Sequence, residues 1–69
     1  MTPEQRVWHE RVRRLAHRAM LLDPVVRQLQ GELKRAAAPD SGTHEERVTR
    51  MRAIEDRIGV HFGIGPRPR

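Results

Sequence analysis

Pro24 stands in the middle of a long apolar seam, and its effect on the surrounding helix decides what this chain can fold into. Trp8, Val12, Leu15, Ala19, Leu22, Val26, Leu29, Leu33 and Ala36 recur with spacings that mostly alternate between four and three. A 3.5-residue repeat held this long is the mark of a helix that packs on another helix. With Val12 at heptad position a, Val26 also falls at a, and Leu15, Leu22 and Leu29 fall at d. β-Branched residues at a with Leu at d favour two-stranded parallel pairing.

Proline removes a helical N–H, clashes with the preceding turn and pushes the residue before it out of the α region. Two arrangements follow. In one, residues 3–37 form a single kinked helix about 50 Å long. In the other, Asp23 caps a new helix with Pro24 at its first position, giving separate helices over 3–22 and 24–37. The unbroken phase of the seam favours the first. The local chemistry favours the second.

The flanking segments are easier to read. Thr2, Pro3 and Gln5 form a capping-box start. Residues 38–42, Ala-Pro-Asp-Ser-Gly, are a turn by composition. Thr43 and Glu46 form a second capping box, and Val48, Met51, Ile54 and Ile58 follow on one face of a helix over 43–58. Gly59 is placed to end that helix as the C′ residue, with Val60 beside it. Val60, Phe62 and Ile64 then alternate as an extended segment, with Phe62 a lid on the chain's own core. Residues 65–69 read as a polyproline-like basic end. The expected fold is all-α: a helical hairpin or a three-helix mini-bundle over 1–58, with an extended basic tail over 59–69.

Length turns the ambiguity at Pro24 into a statement about partners. The chain has 69 residues and no Cys. A lone core of this size rarely supplies more than ~3–5 kcal/mol, and disulfides and thiolate zinc sites are absent from the repertoire. A return helix of about 24 Å covers only half of a 50 Å seam. The continuous helix therefore predicts a homodimer or a helical protein partner, contacted through Trp8, Val12, Leu15, Leu22, Val26, Leu29 and Leu33. The broken helix predicts a bundle that closes alone.

Charge adds a second expectation. Thirteen Arg and one Lys against nine acids give a net +5. Residues 1–35 carry eight basic and four acidic groups, the helix over 43–58 carries four of each, and the tail adds Arg67 and Arg69. Arg6, Arg13, Arg14, Arg27, Lys34 and Arg35 form a stripe opposite the seam. With the tail, that stripe could track DNA or RNA phosphates, with binding that weakens steeply with salt. No aromatic platform for stacking bases accompanies it.

Chemistry at a catalytic or metal centre is not expected. His9-Glu10 and His44-Glu45 begin like a zinc-protease motif, but the fifth positions are Arg13 and Val48. Ser41 lies in a turn, Thr2 and Thr43 are caps, and no glycine-rich loop precedes a helix. The acids of the last helix alternate with arginines, as on a solvated face. The sequence thus suggests a non-enzymatic interaction module, self-associating or an accessory subunit of a larger assembly, with nucleic-acid binding as the alternative. No cofactor, small-molecule substrate or membrane contact is implied, and a cytoplasmic setting is expected.

Overall fold

The computed structural model describes all 69 residues and contains three helices: α1 over Pro3–Ala19, α2 over Pro24–Ala36 and α3 over His44–His61. The chain breaks at Pro24, so the continuous 3–37 helix is not formed. Asp23 takes an extended conformation (φ −116°, ψ 107°), and its Oδ1 accepts hydrogen bonds from the Val25 and Val26 N–H groups. α1 stops at Ala19 rather than at residue 22. Leu22 and Asp23 both donate to the Ala19 carbonyl, which winds residues 20–22 into a turn. Arg27 reaches back across that turn. Its Nε and Nη2 donate to the Met20 and Leu21 carbonyls at 3.2 and 2.9 Å, acceptors that the end of α1 leaves free.

Both expected capping boxes form. Thr2 Oγ1 accepts from Gln5 N–H while the Gln5 side chain accepts from Thr2 N–H. Thr43 and Glu46 do the same at the start of α3. Between α2 and α3, the Ser41 hydroxyl bonds the Ala36 and Ala38 carbonyls, and Arg47 ties Pro39 and Gly42 to α3.

α2 and α3 form an antiparallel hairpin, with Glu32 against Arg57 and Val25 in one groove with Val60. α1 lies across the hairpin near the end of α3. Trp8, Val12, Ala16, Val26, Leu29 and Ile58 form the core, and Ala19, Ile54, Phe62 and Ile64 close its edge. Phe62 is thus the lid the sequence suggested. The molecule is thin, about 30 × 30 × 14 Å by its Cα atoms. No helix is long and apolar enough to cross a membrane.

The seam expected as a partner interface is largely the chain's own core. Trp8, Val12, Val26 and Leu29 are buried, Leu15 and Leu33 are half-buried, and Leu22 is 87% exposed. Ala16, outside the heptad series, is buried instead. α1 packs along an i, i+4 row (Trp8, Val12, Ala16), the ridge used when helices cross rather than coil.

The tail also differs from expectation. α3 runs on to His61, and Gly63 (φ 78°) is its left-handed C′ residue. Gly63 N–H donates to Val60 O and Ile64 N–H to Gly59 O, a Schellman end. Gly59 is interior and buried because a Cβ there would strike the Gly65 carbonyl and lie 2.9 Å from Trp8 Cζ2. Residues after Ile64 are docked, not free. Trp8 Nε1–H donates to Gly65 O at 3.0 Å, and Gln5 Nε2 donates to Pro68 O at 2.9 Å. Arg67 N–H donates to Asp56 Oδ1, while its Nη2 meets Glu55 Oε1 at 2.9 Å and its guanidinium lies over the Trp8 ring. His9 Nδ1 sits 2.7 Å from the other Glu55 oxygen, an ion-pair contact without the alignment of a hydrogen bond.

A second fastening joins the end of α3 to the start of α2. His61 Nε2 lies 2.7 Å from Asp23 Oδ2. That bond, helped by the Val26 and Val25 N–H groups, holds the Asp23 carboxyl below its ordinary value of 3.8. A carboxyl whose folded pKa is lowered stabilises the fold above its unfolded pKa and loses that contribution as pH falls through the folded one. The melting temperature should therefore fall on acidification below about pH 4. Asp23→Asn keeps a capping side chain without the charge. Thermal melts at descending pH should show a shallower acid loss in that variant. An unchanged slope would remove Asp23 from the account.

Candidate functional site: an apolar corner and a cationic groove

Two surfaces remain once the core is closed. The first is the turn between α1 and α2. Leu21 and Leu22 are 80% and 87% exposed, and Val25 at the start of α2 and Val60 near the end of α3 are about half exposed. Val25, Leu29 and Val60 line a shallow groove of about 430 Å³ together with Asp56, Arg57 and His61. The leucines are not on a loose strand. Asp23 caps the helix that follows them, Arg27 holds the carbonyls of Met20 and Leu21, and His61 pins Asp23. Of the seven residues expected at a partner interface, only Leu22 stands fully outside. Leu21, its neighbour, has no place in the heptad frame and was invisible to it.

The second surface is an open groove of about 770 Å³ between α1 and the α2–α3 hairpin. The α1 wall runs from His9 to Met20, about 16 Å of helix. It carries Arg13, Arg14, His17 and Arg18. Across from it, Leu33 of α2 and Met51 of α3 make an apolar floor, flanked by Gln30. Glu10 and Glu55 also border the groove, but Glu55 is already paired with Arg67 and in contact with His9. The arginines that find partners within the chain are Arg27, Arg47, Arg50, Arg57 and Arg67; Arg13, Arg14 and Arg18 are not among them.

The expected cationic stripe is split by the break at Asp23. Arg6, Arg13 and Arg14 stay exposed on α1, Lys34 and Arg35 stay exposed at the end of α2, and Arg69 is exposed at the tail. Arg67 is half-buried and paired with Glu55, whereas Arg27 stays exposed and gives only Nε and Nη2 to the carbonyls of the α1–α2 turn. Arg18 and His17, absent from the stripe, join the groove because α1 turns that face toward the hairpin.

No set of three or more His, Cys, Asp or Glu side chains is arranged to hold a metal ion. The chain matches no protein-family model, no curated protein and no solved structure.

Proposed function

We propose that the chain is a non-catalytic interaction module that self-associates, or joins a larger assembly as an accessory subunit, through the apolar corner rather than the Val/Leu seam. The observation that carries this reading is the side-by-side exposure of Leu21 and Leu22 in a turn that other side chains hold in place. Burying one leucine side chain is worth about 1.5–3 kcal/mol. Two adjacent exposed leucines fixed in one turn are a stronger candidate for burial in a partner than single apolar residues scattered over the surface. The non-catalytic part is supported by the employment of the candidate nucleophiles. Ser41, Thr2 and Thr43 spend their hydroxyl groups on backbone partners.

Sedimentation equilibrium from micromolar to millimolar chain is the test. The expected result is a mass that rises above 8.0 kDa with concentration. Leu21→Ser with Leu22→Ser should hold the chain at the monomer mass with unchanged helicity, since exposed positions cost within about 0.5 kcal/mol. A monomer at every concentration would remove self-association and leave the accessory-subunit form. Nucleic-acid binding, the alternative, keeps Arg6, Arg13, Arg14, Arg27, Lys34, Arg35 and Arg69 but loses Arg67 to Glu55.

A further inference from the structure

We propose that the groove between α1 and the α2–α3 hairpin receives an acidic amphipathic helix from a partner protein. This rests on the reading of the chain as an interaction module, but not on the apolar corner, which is a separate surface.

Size supports a helical guest. A helix with its side chains is about 10–12 Å across. Half of such a cylinder, over three turns, occupies roughly 640–920 Å³, the same order as the groove volume of about 770 Å³. Three turns also span about 16 Å, the length of the His9–Met20 wall.

The lining specifies the guest's two faces. Leu33 and Met51 are half-buried and Met20 is 39% exposed, an apolar floor that a helix covers with residues at i, i+3/i+4 and i+7. Two of the three are methionines, whose flexible thioethers suit a surface that must conform to a guest. Arg13, Arg14 and Arg18 supply fixed positive charge with no acid of the chain to satisfy it, and Glu10 is the one unpaired carboxylate at the rim. Glu or Asp flanking the guest's apolar stripe completes that wall. A nucleic-acid backbone would meet the arginines but leave the apolar floor uncovered. It would also find no aromatic platform in the groove, because Trp8 is buried beneath Arg67 and Phe62 packs against the core outside the groove lining.

The experiment uses the full chain and fluorescein-labelled probes in anisotropy titrations at roughly 50 mM salt and above. The main probe is a capped synthetic helix of ~14 residues with a Leu stripe flanked by Glu. Beside it run its scrambled sequence, its Lys-for-Glu counterpart, a DNA duplex and an RNA hairpin. The Leu/Glu helix should bind, the scramble should bind at least about tenfold more weakly, and the Lys version should not bind. Arg13→Glu with Arg18→Glu should weaken the Leu/Glu helix by about tenfold or more. Arg6→Glu with Arg52→Glu, which removes the same charge outside the groove, should change it about twofold or less. Leu21→Ser with Leu22→Ser should leave it unchanged, so loss of self-association and loss of peptide binding are read separately. Equal binding of the scramble would reduce the effect to bulk charge and overturn the proposal. So would equal losses from the two charge variants. Tighter binding of either nucleic acid, lost in the groove variant, would overturn it in favour of a phosphate ligand.

Discussion

Trp8→Ala is expected to leave the chain largely unfolded at room temperature. Removing a buried Trp side chain costs about 3–5 kcal/mol. A core of this size holds a domain together by only ~3–5 kcal/mol. Trp8 also does more than fill space. It lies between Val12 and Ile58 in the core, covers Gly59, donates to the Gly65 carbonyl and supports the Arg67 guanidinium. Its loss opens a cavity and detaches the tail together. Trp8→Phe separates the two effects. It keeps most of the packing and the ring face but removes the N–H, leaving the Gly65 carbonyl without its donor, at about 1–2 kcal/mol. Circular dichroism at 222 nm with urea titration should show little helix and no cooperative transition for Trp8→Ala. Trp8→Phe should give a cooperative transition at lower urea. A Trp8→Ala variant within about 1 kcal/mol of the parent would show that the tail and Trp8 contribute little.

The tail is where the sequence was least legible, for a physical reason. Hydrophobic period and caps are local signals: the caps placed helix starts at Thr2 and Thr43, while at Asp23 cap and period pointed to different arrangements and the cap prevailed. Gly65 and Pro68 meet Trp8 and Gln5, 57 and 63 residues away, and Arg67 meets Glu55, 12 residues away, and no periodicity records these contacts. Gly59 was misread because a glycine after an apolar stripe has two explanations, a left-handed terminus or a close approach. The resolving signal was present in Ile54, Ile58 and Phe62, an i, i+4 row that runs through Gly59, with Gly63 just past its end. The heptad misled in a different way. Spacing shows that a stripe is apolar but not whether its partner coils along it or crosses it. Ala16, one position off the seam, becomes core because α1 crosses. The groove's cations were visible as charges, yet their grouping with Leu33 and Met51 depends on α1 standing off the hairpin, which no spacing on α1 encodes.

Glu55 carries the second large expectation. It lies one turn beyond Met51 and between Ile54 and Ile58, so α3 turns a carboxylate toward the core, where it is 8% exposed. A charge there must be paired. Arg67 pairs it from the tail, with both side chains about seven-eighths covered (11% and 15% exposed), and His9 contacts the second oxygen. Arg67→Met should destabilise the fold by about 3–5 kcal/mol, because the carboxylate stays buried with one partner gone. Glu55→Met should cost a comparable amount by stranding the guanidinium. The double variant behaves differently. Replacing both ends of a buried pair with apolar side chains of similar volume is often neutral or stabilising, because the desolvation of both charges is removed as well. Urea titrations of the two single variants and the double one form a closed cycle, and the double variant should recover most of the parent's stability. Additive losses would mean that Arg67 acts through its stacking on Trp8 rather than through Glu55. If the recovery occurs, the Glu55–Arg67 pair fixes where the tail docks more than how firmly the chain folds. The double variant should then show a parent-like melt with faster hydrogen exchange at the residue 67 N–H, which the docked tail holds on Asp56.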